Sequence, residues 1–136
     1  MSYTWEHSLE IGDKLIDGQH KELVEMYNKL YAISTSETIK VAYKNLEIKK
    51  ALDFLCTYTV KHFTDEEELM RRVNFPEFTE HKQQHEEFKL RAVAFTQKFA
   101  EVGFSDMFAN LLNAQIGLWL VSHIQEEDSK ISECLK

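Results

Sequence analysis

Residues 61–85 read KHFTDEEELMRRVNFPEFTEHKQQH, and the fold turns on how this stretch is arranged. It carries three of the chain's six histidines together with a dense run of carboxylates. His62 and Glu66 are four residues apart, as are His81 and His85. At about 100° per residue each pair shares one helical face, a turn apart. Asn74-Phe75-Pro76 interrupts the pattern and reads as a turn between two helices. Two antiparallel helices joined in this way bring those faces together. Imidazoles and a carboxylate converging inside a bundle suit a transition metal such as iron, zinc or copper. Among Asp65, Glu66, Glu67 and Glu68, only Glu66 stands a full turn from His62; the others read as a solvated face.

Outward from this stretch, the chain resolves into helices of similar length. Residues 1–16 read as a non-helical arm with Trp5, Leu9, Ile11, Leu15 and Ile16 as apolar anchors, and Gly12 breaks any helix there. His7, among polar neighbours, reads as exposed. Asp17 is a candidate N-cap for a first helix bearing His20, Leu23, Tyr27, Leu30 and Tyr31 on one face. Ser34-Thr35-Ser36 ends it. A second helix starts between Thr38 and Asn45, carries Ile48, Leu52, Leu55, Thr59 and His62 inward, and runs to about Arg72. Pro76 suits the first turn of a third helix with His81, His85, Phe88, Ala92, Phe95 and Phe99 on its stripe, stopped by Gly103. Ser105 can cap a fourth, which carries Phe108, Leu111, Leu112, Gln115, Ile116, Trp119, Leu120, His123 and Ile124. The expected architecture is all-α: an up-down-up-down four-helix bundle over 17–136 behind the arm 1–16, one domain spanning 1–136. Each helix then turns at least one histidine inward. A lone histidine on an apolar face is usually a satisfied core residue. Five at facing positions are hard to explain that way, because each buried imidazole needs partners.

Composition narrows the functional classes. The net charge of −7 disfavours nucleic acid and an anionic membrane surface as partners. No apolar run approaches the ~20 residues of a membrane span, and the N-terminus lacks a signal-peptide pattern, so the expected location is cytoplasmic. Cys56 and Cys134 form no metal or redox motif and read as reduced thiols.

The motifs, taken together, resemble the hemerythrins, in their single-domain bacterial form. The resemblance rests on Trp5, Asp17-Gly-Gln-His20, His62-Phe-Thr-Asp-Glu66-Glu, Phe75-Pro76 followed by His81-x-x-x-His85, and Trp119-Leu-Val-Ser-His123-Ile with Asp128. It implies a non-haem di-iron centre with an oxo or hydroxo bridge, whose ligands are His20, His62, Glu66, His81, His85, His123 and Asp128. Ideal helical spacing from His123 favours Glu127 at i+4; the resemblance places the carboxylate at Asp128, which a distorted helix would allow. It further implies one iron on His81, His85 and His123, another on His20 and His62, and Glu66 and Asp128 bridging both. The second iron is then five-coordinate, and O₂ binds there reversibly as hydroperoxide.

Leu23, Phe63, Phe88, Trp119, Leu120 and Ile124 lie near those positions in sequence and are candidates to wall an O₂ pocket, or simply core. Gln19, Asp65 and Glu67 are candidates to accept the second N–H of ligand histidines. The implied role is an O₂ carrier, store or delivery protein rather than an enzyme, monomeric or weakly oligomeric, with an unspecified recipient. A di-iron oxidase or peroxidase is the competing class. Oxygen-activating bundles use Glu-x-x-His, and this chain contains none.

Overall fold

The computed structural model describes residues 2–136; Met1, the first residue of the expected arm, lies outside them. Its elements are α1 (Lys14–Thr35), α2 (Val41–Arg72), α3 (Phe78–Val102), and a fourth limb made of α4 (Phe108–Leu112), a π-helical turn (Asn113–Gly117) and α5 (Leu118–Glu126). A 3₁₀ turn at His7–Leu9 precedes them and a 3₁₀ segment, Asp128–Leu135, follows. The four limbs form the expected bundle, and no strand occurs among the described residues. No helix is long and apolar enough to cross a membrane.

Several boundaries differ from the sequence reading, each for a local reason. α1 starts at Lys14, and its N-cap is Asp13, whose carboxylate accepts from Ile16 N at 3.1 Å. Asp17 instead pins the arm: its carboxylate accepts from Ile11 N at 2.7 Å and Gly12 N at 3.1 Å, where Gly12 takes φ +104°. The arm is therefore anchored, with Leu9, Ile11 and Ile16 buried and Leu15 turned out. Pro76 falls in the turn before α3, not in its first turn, and Asn74 supplies the left-handed residue (φ 54°) that ends α2. Ser105 does not cap with its side chain; its carbonyl accepts from Phe108 N at 3.0 Å. Gly103 ends α3 as expected, at φ +69° with its N–H on Phe99 O.

The fourth limb holds the main departure. Leu112, Ile116, Leu120 and Ile124 are all buried, although Leu111 and Gln115 are not. In an ideal α-helix residues four apart drift by ~40° per step, so such a row would spiral out of the core. The wider i→i+5 turn winds more slowly and keeps the row facing in. The turn forms where Tyr27 of α1 presses on the helix. A Cβ at position 117 would lie 2.3 Å from Tyr27 Cζ, so only glycine fits. Asn113 Oδ1 accepts from Tyr27 Oη at 3.1 Å and from Tyr3 Oη at 2.8 Å, tying the arm to the same turn.

Candidate metal centre

The four limbs bring together all seven residues expected as ligands. His20 comes from α1, His62 and Glu66 from α2, His81 and His85 from α3, His123 from α5 and Asp128 from the start of the terminal 3₁₀ segment. All seven are buried, Glu66 and Asp128 completely. Their donor atoms form two groups within which every pair lies inside 4.8 Å: Glu66, His81, His85, His123 and Asp128 in one, His20, His62, Glu66 and Asp128 in the other. The two carboxylates belong to both. His7 stays outside, exposed and beside Glu10.

Asp128 is placed by the end of the helix. α5 stops at Glu126, Glu127 N still reaches His123 O at 2.9 Å, and the tighter segment that follows turns Asp128 inward. Glu127, better aligned on an ideal helix, faces out and pairs with Lys130 at 3.2 Å.

The outer hydrogen bonds fix proton positions. Gln19 Nε2 donates to Asp65 Oδ2 at 2.7 Å, which leaves Gln19 Oε1 as the acceptor for His62 Nδ1 at 2.8 Å. His85 Nδ1 donates to Glu67 Oε2 at 2.9 Å. Glu67 is thus buried and engaged rather than part of a solvated face; its burial raises its pKa, but His85, Lys89 and Lys82 bring it below the usual value.

A neutral imidazole that donates through Nδ1 presents a lone pair at Nε2. His62 Nε2 lies 3.3 Å from Glu66 Oε2, and His85 Nε2 lies 3.1 Å from Glu66 Oε1. His81 Nε2 and His123 Nε2 face one another at 3.1 Å and can share only one proton. Asp128 Oδ1 lies 2.9 Å from His81 Nε2 and 3.0 Å from His123 Nε2, and Oδ2 lies 2.9 Å from His20 Nε2. Neither Asp128 oxygen makes a hydrogen bond, and both are buried. Acceptors crowded against acceptors call for positive charge among them. Without a metal, protons supply it. Burial disfavours charged imidazoles, but Asp128 and Glu66 outweigh it and raise His20 to about 10 and His81 to about 9. Against its own desolvation, Glu66 is held well below the carboxylate range by His62, His20 and His81. A pair of divalent cations satisfies the same acceptors with their lone pairs free, so the donor set fits a metal pair.

Comparison with known proteins agrees with this geometry. The family described as hemerythrin HHE cation binding domain matches residues 11–135. The chain belongs to the hemerythrin family. It is 30% identical to a bacteriohemerythrin from Stenotrophomonas maltophilia over 132 residues, covering 97% of this chain and 80% of the relative. It is 33% identical to a hemerythrin-like protein from Naegleria gruberi over 129 residues, 94% of this chain and 89% of that one. A solved wild-type hemerythrin superposes with a TM-score of 0.82 at 28% identity, covering 98% of this chain and 97% of the other.

The chain packs the six expected pocket residues in one apolar cluster: Leu23, Phe63, Phe88, Leu120 and Ile124 buried, Trp119 half-buried. Two of them stack on candidate ligands. Phe63 lies parallel to His85 with centroids 3.9 Å apart, and Trp119 parallel to His123 at 4.5 Å. Phe88 in turn stacks on Trp119 at 4.1 Å. These contacts lock the rings of both histidines. The sequence reading missed the Tyr27–Asn113–Gly117 contact. Asn and Gly, both poor helix formers, four residues apart within an apolar helix were the only available signal.

Proposed function

We propose that this protein binds O₂ reversibly, as a carrier, store or delivery protein, at a di-iron centre held by His20, His62, Glu66, His81, His85, His123 and Asp128. The observation that carries the reading is the inequality of the two donor groups. One offers three imidazoles and the two shared carboxylates, the other two imidazoles and the same carboxylates. A metal held by the smaller group would have fewer protein donors, leaving it the open position that a small ligand requires. Iron held by these residues would supply the redox chemistry for reversible O₂ binding.

The protein's own part is to position and to exclude water. Glu66 and Asp128 span both positions, and their burial keeps competing protons and water away. Gln19 and Glu67 orient His62 and His85 through Nδ1. Leu23, Phe63, Phe88, Trp119, Leu120 and Ile124 provide an apolar surround that O₂ crosses readily and anions do not. Binding rather than turnover is favoured by the imidazole-rich set, since neutral donors stabilise high-valent iron less than carboxylates do. The acidic net charge disfavours nucleic acid and an anionic membrane surface as partners; we read the protein as cytoplasmic and as monomeric or weakly oligomeric. We read residues 1–136 as one unit.

The test is iron analysis with anaerobic reduction, admission of O₂ and its removal. Two irons per chain and return of the reduced spectrum are expected. Release of hydrogen peroxide, or sustained O₂ consumption with a reductant, would replace this reading with an oxidase.

A further inference from the structure

The two donor groups are backed by groups of different charge. Behind the smaller group, His62 donates to an amide: Gln19 Oε1, at 2.8 Å. That amide cannot flip, because its nitrogen donates to Asp65 Oδ2 at 2.7 Å, and Lys61 Nζ donates to the same oxygen at 2.9 Å. Behind the larger group, His85 donates to a carboxylate: Glu67 Oε2, at 2.9 Å. Gln19 is 4% exposed and Glu67 7%, so water weakens neither bond much. Phe63 closes over the His85 ring, holding it in register with Glu67.

A carboxylate that accepts an imidazole N–H draws the proton towards itself and leaves more electron density on the other ring nitrogen; an amide oxygen does so far less. We propose that Gln19 and Glu67 are positioning residues that make the two metal positions electronically unequal, Glu67 strengthening donation through His85 at the full position and Gln19 keeping donation through His62 weak at the open one. The inference rests on the di-iron reading above. Weak donation at the open position favours release of O₂ and slows loss of electrons to it. Strong donation at the full position holds the metal through the cycle. Asp65 and Lys61 keep this difference in place by fixing which end of Gln19 faces His62.

The proposal is tested with two variants expected to act in opposite directions. Glu67→Gln retains an oxygen able to accept from His85 and removes the charge. Gln19→Glu combined with Asp65→Asn keeps the bonds from His62 to residue 19 and from residue 65 to residue 19, gives up that of the exposed Lys61, and moves the charge behind His62. Loading of the metal-free proteins with Zn²⁺, a redox-silent probe, against a chelator should show Glu67→Gln weaker by about tenfold. In the iron-loaded proteins Glu67→Gln should raise the reduction potential and slow autoxidation. The double variant should lower the potential and speed autoxidation several-fold. Circular dichroism should show all of them helical. If Glu67→Gln matches the parent in Zn²⁺ affinity and potential while Glu67→Ala loses metal, Glu67 is only a structural acceptor and the inference fails. It fails too if both charge variants shift the same way. A parent protein that binds O₂ reversibly with unshifted variants would sink this inference alone. A parent that binds no metal pair would sink the functional reading and this inference together.

Discussion

Gly117→Ala tests whether the π-helical turn is imposed by Tyr27. The added methyl would sit 2.3 Å from Tyr27 Cζ, 2.5 Å from Cε1 and 2.6 Å from Oη. Ordinary contact begins near 3.4 Å, so ring and helix must separate by about 1 Å. Tyr27 has little room to yield. It is 0% exposed, its ring packs on Tyr31 and Tyr3, and its hydroxyl is held by Asn113. Overpacking of this kind costs ~1–3 kcal/mol. Loss of the buried hydroxyl bond adds about 1 kcal/mol, and the better helix propensity of alanine returns about 1 kcal/mol. The net of ~1–3 kcal/mol should lower the melting temperature by roughly 3–10 °C in a domain of this size. Thermal melts of the metal-free protein measure it. The double variant Gly117→Ala with Tyr27→Ala separates strain from propensity: the cost of the methyl added at 117 should vanish once the ring is gone. His123 lies six residues beyond Gly117 on the same limb, so iron uptake by the single variant should also weaken. A single variant that melts at or above the parent would show that helix propensity governs position 117 and that Tyr27 does not shape the turn.

Three further outcomes follow from the site. Asp128→Ala should lose most of its iron, whereas Glu127→Ala should keep it, because Asp128 is fully buried in the cluster and Glu127 pairs with Lys130 at the surface; iron analysis distinguishes them, and the reverse result would refute the placement of Asp128. Ile124→Glu puts a carboxylate into the apolar surround of the centre, so iron should load while reversible oxygenation is lost; normal oxygenation of that variant would mean that Ile124 does not face the open position. His7→Ala should change neither iron content nor oxygenation, since His7 is exposed and pairs only with Glu10.

What the sequence made legible was whatever repeats at helical period. His62 with Glu66 and His81 with His85 share faces by arithmetic alone, and the glycine stop at 103 follows from its backbone freedom. Periodicity also put His20, Leu23 and Tyr27 inward, and all three are fully buried. It failed where the helix departs from its own period. Counting at 3.6 residues per turn put Leu111 and Gln115 inward and preferred Glu127, because no rule of spacing contains the π-helical turn or the 3₁₀ segment. The resemblance corrected the second of these and not the first. Caps were misassigned for a different reason. Asp13 and Asp17 are chemically equivalent candidates, and only the path of the arm decides that one caps α1 while the other holds Ile11 and Gly12. Glu67 was ambiguous because a carboxylate next to a ligand in sequence points about 100° away from it on the helix. Whether it meets water or His85 depends on where α3 lies.

The distribution of polarity along the bundle explains why a site of this cost can exist in so small a protein. At one end, Leu30, Ile48, Leu52, Phe95, Phe99, Phe108 and Leu112 are buried in one hydrocarbon cluster with aromatic contacts such as Phe99–Phe108 at 5.1 Å. At the other, two carboxylates and five imidazoles occupy the interior in place of apolar side chains. Burying such groups costs several kcal/mol each unless every one is satisfied. Seven donors from four limbs converge there, beside a second apolar cluster of Ile11, Ile16, Leu69, Met70, Phe75 and Ile131, so a metal pair held by them would do more than fill the site: it would join every limb. Metal affinity and folding are then coupled at that end. The apolar residues between the two ends, Leu23, Phe63, Phe88 and Ile124, belong to both: they continue the core and border the centre. If the proposed function holds, a substitution there should change O₂ binding and stability at once. One at Glu67 or Gln19, which reach His85 and His62 through their outer nitrogens, should alter the chemistry of the proposed centre while leaving the bundle in place.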